Sequence, residues 1–73
     1  MGIKYTLNVL NLDTNLMVDV IHTGSISEPD AINEASQIVD TAKAKGLNLC
    51  VVIRRTLNKK RIGMVTPDEI TLD

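Results

Sequence analysis

The chain has 73 residues, of which 44% are hydrophobic, and its formal net charge is −1. A chain of this length and composition predicts one folded domain, residues 1–73, and argues against disorder. No apolar run reaches the ~20 residues that a membrane-spanning helix needs. A single cysteine, Cys50, excludes an intrachain disulfide and is typical of a reducing compartment. We therefore expect a cytoplasmic protein without a membrane partner.

Small size limits the stability that this domain can reach by itself. A chain this short buries only about 60% of its unfolded surface, so disulfides, metals or oligomers usually support such folds. The single histidine, His22, provides too few ligands for a metal site, and no motif indicates a cofactor. Oligomerisation is the remaining aid, and we expect a homo-oligomer, with a dimer favoured.

The first third of the chain predicts a β-hairpin. Residues 4–12 alternate between apolar and polar side chains, which is the period of a strand. Residues 13–15, Asp-Thr-Asn, have turn chemistry, because Asp and Asn tolerate left-handed conformations. Residues 16–22 are apolar and β-branched, which predicts the second strand. We expect a short loop at residues 22–27.

An amphipathic helix is predicted from Ser27 to Lys45. Ser27 is a good N-cap, and Pro29 falls in the first turn, where its missing N–H costs nothing. Gly46 is the expected left-handed residue after the helix. Apolar residues recur at steps of three and four, at Ala31, Ile32, Ala35, Ile38, Val39 and Ala42.

The second half of the chain predicts another hairpin. Residues 49–55 are β-branched and apolar, as in a central strand, and residues 61–66 form the returning strand after a polar connection. The last residues resemble a helix start or a turn with a short tail. These elements predict an α+β fold with two layers in the order ββαββ, in which one helix packs on one face of a four-stranded sheet.

One helix covers one face of such a sheet, and the other face is only partly polar. Strict alternation places Val18, Val20 and Met64 toward the helix. The second face then holds six apolar side chains, and burying each is worth roughly 1.5–3 kcal/mol. We expect this face to pack on another copy or on a partner, unless the C-terminal tail covers it. The predicted interface residues are Leu10, Met17, Ile21, Val52 and Val65, with Cys50, Thr6, Asn8, Asp19 and Arg54 on the same face.

Positive charge is concentrated in the second half of the chain. Seven of the eight Lys and Arg residues lie between Lys43 and Arg61, and no Asp or Glu interrupts them. A basic β-ribbon can hold phosphates through the bidentate fork of Arg and the point charge of Lys. The alternative is that Lys at an exposed hairpin tip blocks aggregation. The predicted anion- or nucleic-acid-binding residues are Arg54, Arg55, Lys59, Lys60 and Arg61.

Other readings of the chain have less support. Tyr5 is the single aromatic residue, so base stacking as used by single-strand binders is disfavoured. The loop before the helix has hydroxyls and a glycine that could cradle a phosphate, but Glu28 and Asp30 would repel it. His22 with Ser25 or Cys50 lacks the pocket that nucleophilic catalysis needs, so no catalytic residue is predicted.

We therefore expect a small, oligomeric, non-enzymatic binding module. Its basic hairpin would engage a phosphate-bearing partner, either a nucleic acid or a nucleotide. The alternative is a protein-interaction module, such as a small regulator or inhibitor, that docks through the apolar second face of the sheet.

Overall fold

The computed structural model describes residues 2–73 and shows an α+β fold with one helix and a five-stranded antiparallel sheet. The strand order is β2-β1-β3-β4-β5, so β3 is central, as its apolar sequence predicts. The helix packs mainly on β3. The elements are β1 (Ile3–Asn11), β2 (Leu16–Ile26), α1 (Glu28–Ala44), β3 (Leu49–Arg55), β4 (Arg61–Val65) and β5 (Ile70–Leu72).

The prediction of four strands in the order ββαββ is wrong, because the C-terminal tail is a fifth strand. β5 pairs antiparallel with β4, which places Leu72 opposite Gly63. A tight turn joins these two strands: the Thr66 N–H donates to the Glu69 carbonyl at 2.9 Å, and the Glu69 N–H donates to Thr66 Oγ1 at 3.1 Å. Three residues are too few to show the alternation by which a strand is recognised in a sequence.

The loop predicted at residues 22–27 is also wrong, since β2 continues to Ile26. The strand is irregular there, with an extra residue between the pairs Thr6–His22 and Lys4–Ser25. At this irregularity the Thr23 hydroxyl accepts the Tyr5 N–H at 3.0 Å. A segment with the Gly and Ser of a loop therefore stays in the sheet as a β-bulge.

The helix agrees with its prediction at both ends. Ser27 is the N-cap, and its hydroxyl accepts the Asp30 N–H at 3.3 Å. Lys45 is the C-cap, and Gly46 follows with φ +78°. Among residues 2–73, no helix combines the length and apolarity needed to cross a membrane.

The core lies between α1 and the sheet, and it corrects two predicted faces. Side chains of paired strand residues share a face. Ile21 pairs with Leu7, which is fully buried, and Val65 pairs with Val51. Both therefore lie on the helix side, and their assignment to the second face is wrong. The buried core consists of Tyr5, Leu7, Val9, Ala31, Ala35, Val39, Ala42, Leu49, Val51, Ile53, Ile62 and Val65.

Two β-bulges explain this correction. Val18 is an extra residue between the pairs Val9–Asp19 and Leu10–Met17, and Ile62 is extra between Gly63 and Arg61. One extra residue moves every later side chain to the other face. Val20 and Met64 consequently lie on the face opposite α1, which we call the open face, and Asp19 lies on the helix side.

The open face is less apolar at its surface than alternation predicts. Leu10, Met17 and Val52 do lie on it, but Val52 is only 8% exposed and Cys50 only 2%, between half-buried neighbours on the adjoining strands. Four of the ten large apolar side chains that are exposed among residues 2–73 lie along the edge strand β2, more than on any other strand. They are Leu16, Met17, Val18 and Val20.

Gly63 on β4 lies opposite Leu72 and leaves no room for a side chain beside β5. A Cβ atom there would lie 2.7 Å from the Thr71 carbonyl oxygen and 3.0 Å from Leu72 Cδ2. We expect Gly63→Ala to lower the free energy of unfolding by about 1–3 kcal/mol, because β5 must move away. Chemical denaturation measures this change. Gly24→Ala is the control, since nothing lies within 4 Å of its added Cβ, and an equal loss in both variants would contradict the prediction.

Cys50 gives a second test of the described packing. Burial raises the pKa of the Cys50 thiol, so less thiolate is present at neutral pH than for an exposed cysteine. We expect a disulfide reagent to label the native protein far more slowly than the protein in denaturant. Equal labelling rates would show that the thiol is accessible in the native state.

Candidate anion-binding site

A cleft of about 440 Å³ opens where the β3–β4 hairpin meets β1 and β2. Three of its lining residues are cationic, Arg54 and Arg55 on β3 and Lys59 in the hairpin turn, and none of its lining residues is acidic. The lining residues are Thr6, Asn8, His22, Arg54, Arg55, Thr56 and Lys59. The cleft therefore joins part of the predicted basic cluster to polar residues from two other strands.

Strand pairing builds the floor of this cleft. Thr6 on β1 lies opposite His22 on β2 and opposite Arg54 on β3. These three side chains form a row across three adjacent strands of the open face, because paired residues point to the same side. Asn8 lies two residues along β1, between Val20 and Val52.

The Thr6 hydroxyl connects the two walls of the cleft. Its Oγ1 lies 2.8 Å from Thr56 Oγ1 and 3.3 Å from His22 Nδ1. One hydroxyl can donate to one partner and accept from another. The Thr56 N–H donates in turn to the Lys4 carbonyl at 3.0 Å, which fixes the hairpin against β1.

The turn between β3 and β4 brings Lys59 to the cleft. Lys59 has φ +57°, a left-handed conformation that reverses the chain. Asn58 Oδ1 accepts the Lys60 N–H at 3.0 Å, and the Arg55 N–H donates to the Lys60 carbonyl at 2.9 Å. Arg54 Nη1 donates to the Lys59 carbonyl at 3.4 Å, so its guanidinium is held close to the turn.

Three of the five predicted anion-binding residues come together here, and two do not. Arg54, Arg55 and Lys59 line the cleft, whereas Lys60 is exposed outside its lining. Arg61 Nε lies 3.1 Å from Asp73 Oδ2, the one ion pair among residues 2–73. The side-chain carboxylate of Asp73 thus compensates the charge of Arg61.

Thr6, Asn8, His22 and Thr56 also line the cleft, although no sequence signal assigns them to it. Alternation had grouped Thr6 and Asn8 with Arg54 on one face of the sheet. It gave no indication that β1 and β3 are neighbours, which is what brings Thr56 within hydrogen-bonding distance of Thr6.

Two residues of the cleft lining each have a buried polar atom without a partner. Asn8 Oδ1 and Arg55 Nε are the buried side-chain atoms in the described part of the chain without a hydrogen bond. Such an atom costs roughly 1–3 kcal/mol, and native proteins contain few of them. Asn8 pairs with Val52 on the open face, whereas Arg55 pairs with the core residue Tyr5, so the two atoms belong to opposite faces of the sheet. Of the two, only the Arg55 N–H is a donor that an anion could satisfy.

Other candidate sites receive no comparable geometry. The candidate phosphate-binding loop, residues 23–27, is not a loop: residues 23–26 belong to β2, and Ser27 is the N-cap of α1. No three His, Cys, Asp or Glu side chains among residues 2–73 come together as a metal would require. No family model, curated protein or solved structure matches this chain.

Removing the Thr6 hydroxyl should weaken the junction between the walls of the cleft. We expect Thr6→Val to lower the free energy of unfolding by about 1 kcal/mol, because Thr56 and His22 lose their shared partner. Thermal and chemical unfolding measure the loss. Thr41→Val, which makes the same replacement at an exposed helix position, should change stability less; the opposite order would contradict the role given to Thr6.

Proposed function

We propose that the protein is a small non-enzymatic binding module that holds the phosphate group of a nucleic acid or nucleotide in this cleft. The observation that carries the proposal is that Arg54, Arg55 and Lys59 all line a cleft that no carboxylate lines. Cations that line one cleft repel one another, and an anion bound there reduces that repulsion.

The chemistry of the cleft fits phosphate. Arg presents a planar fork of N–H donors, which matches two phosphate oxygens, and Lys adds a point charge. Arg54 and Arg55 are partly buried, so their electrostatic interactions are screened less than those of exposed residues such as Lys60. The hydroxyls of Thr6 and Thr56 provide further hydrogen-bonding groups for a phosphate or a sugar.

The volume of the cleft supports a ligand of nucleotide size. Pockets for small ligands and cofactors measure roughly 300–1,000 Å³, and this cleft lies within that range. Tyr5, the one aromatic residue, is 2% exposed and belongs to the core, so no aromatic side chain is offered to stack on a base. Binding through the phosphate and sugar is therefore favoured over recognition of the base.

The same contacts support binding rather than catalysis. His22, the natural candidate for a general base, lies beside the Thr6 hydroxyl, and no carboxylate in the cleft lining orients its ring. Catalysis by a Ser-His or Cys-His pair needs such an orienting group. Cys50 is buried outside this lining.

The alternative proposal, a protein partner on the apolar sheet face, has less surface available to it. Val52 is buried within the protein and Val65 belongs to the helix-side core, so neither offers much area to a partner. Leu10 and Met17 remain on the open face. Phosphate binding is therefore the better supported of the two functions.

Two double variants test the proposal at equal net charge. Arg54→Ala with Lys59→Ala removes two cations from the cleft, and Lys43→Ala with Lys45→Ala removes two at the end of α1. We expect only the first to lower affinity for labelled duplex DNA and a labelled nucleotide by tenfold or more, about 1.4 kcal/mol. Fluorescence polarisation at two salt concentrations measures both variants.

The salt dependence tests how many cations take part. If three phosphates are contacted, the logarithm of the DNA-binding constant should fall with the logarithm of salt concentration with a slope of roughly −3. Arg61→Ala should leave this slope nearly unchanged, because Arg61 is paired with Asp73. Equal loss of affinity in the two double variants would overturn the proposal, since charge alone would then explain binding.

A further inference from the structure

The edge strand β2 is long and unprotected. It has 11 residues, forms one edge of the sheet and contains neither Pro nor Lys, the residues that commonly block such edges. Four of its apolar side chains are at least 40% exposed: Leu16, Met17, Val18 and Val20. The opposite edge, β5, has only three residues and is followed by Asp73.

Hydrogen bonds of β1 show which main-chain groups of β2 point outward. The Lys4 carbonyl accepts the Thr56 N–H, and the Leu12 N–H donates to the Asn48 carbonyl. Even-numbered residues of β1 therefore direct their main-chain N–H and C=O groups toward β3. The Tyr5 N–H reaches Thr23, so odd-numbered residues face β2. The even-numbered residues of β1 are therefore in the non-hydrogen-bonded pairs of the β1–β2 ladder.

Val20 and His22 belong to those pairs, opposite Asn8 and Thr6. Their N–H and C=O groups consequently point away from the sheet. The Val20 N–H donates to its neighbour, Asp19 Oδ1, at 2.8 Å, which agrees with an outward group that no strand pairs. Between the two bulges, Asp19–His22 is the regular stretch of this edge.

We propose that a second copy of this chain pairs antiparallel along β2, so that two five-stranded sheets form one continuous ten-stranded sheet. The two-fold axis passes at Ile21, which lies opposite the partner's Ile21. Val20 then lies opposite the partner's His22, and His22 opposite the partner's Val20. This register uses both outward residues of the regular stretch and forms four main-chain hydrogen bonds.

The groove between α1 and β2 fits the same arrangement. This groove, of about 630 Å³, has Leu7 and Ile21 in its lining together with the exposed Leu47. Ile21 is only partly buried, and in the pairing proposed here it meets its own counterpart on the helix side of the sheet. A symmetric contact requires such self-complementarity.

Charge along the groove also favours a second copy. Glu34 and Lys45 line it toward opposite ends of α1. A two-fold axis reverses the direction of the partner's helix, so the acidic end of one groove faces the basic end of the other. Because the interface is small and Val20 must release Asp19, the dimer should be weak and dependent on concentration. This inference does not rest on the proposed phosphate site.

Proline at position 20 tests the main-chain pairing. The Val20 N–H takes no part in the β1–β2 ladder and bonds only the exposed Asp19 Oδ1. Val20→Pro therefore removes this local contact and the donor that the partner needs, and edge strands tolerate proline. Val20→Thr keeps both the N–H and the shape. Light scattering over a concentration series should show that the unsubstituted protein and Val20→Thr dimerise. Val20→Pro should remain a monomer, and its circular dichroism spectrum should match that of the unsubstituted protein.

Disulfide cross-linking tests the register without relying on proline. Facing residues that exchange no hydrogen bonds have Cα atoms about 4.5 Å apart, within the range for a disulfide. In a Cys50→Ala background, Ile21→Cys should form a covalent dimer under mild oxidation, and Val20→Cys, which faces the partner's His22, should form little. Any of three results would overturn the inference. The unsubstituted protein could be a monomer at every concentration, Val20→Pro could dimerise as well as the unsubstituted protein, or cross-linking could fail to favour position 21.

Discussion

The packing of α1 on β3 is the contact on which the rest of this small sheet depends. Ala31 and Ala35 are fully buried, and their small side chains let the helix lie close to Val51 and Ile53. No second helix shares this task within the described residues. Apolar burial is the main favourable term in folding, so this one interface holds the central strand and fixes where the strands on either side can pair.

Because β3 is held in this way, it connects the core to the cleft. Ile53 points into the core, and the next residue, Arg54, points to the open face. Arg54 and Arg55 are thus the last two residues of the most buried strand, and both are partly buried as a result. A charge in such a place interacts more strongly with an anion than a charge at an exposed tip, since less water screens it.

The two bulges divide the remaining apolar surface. Val18 and Ile62 each reverse the alternation of their strands, which places Ile21 and Val65 on the helix side and leaves Val20 on the open face. The broad apolar face that strict alternation predicts is thereby reduced. Four exposed apolar side chains lie along β2, so association through this sheet edge is better supported than docking on a sheet face.

The sequence by itself determined the elements whose signals are local. Ser27 and Gly46 mark the helix ends, turn residues mark the first hairpin, and the apolar run 49–55 marks the central strand. It also showed the clustering of cations along the chain. Only the tertiary structure decided that β5 joins the sheet, that Arg61 pairs with Asp73, and that Thr6 meets Thr56 to complete the cleft. These outcomes depend on contacts between residues far apart in the chain and on single-residue shifts in strand pairing, and neither leaves a periodic pattern in the sequence.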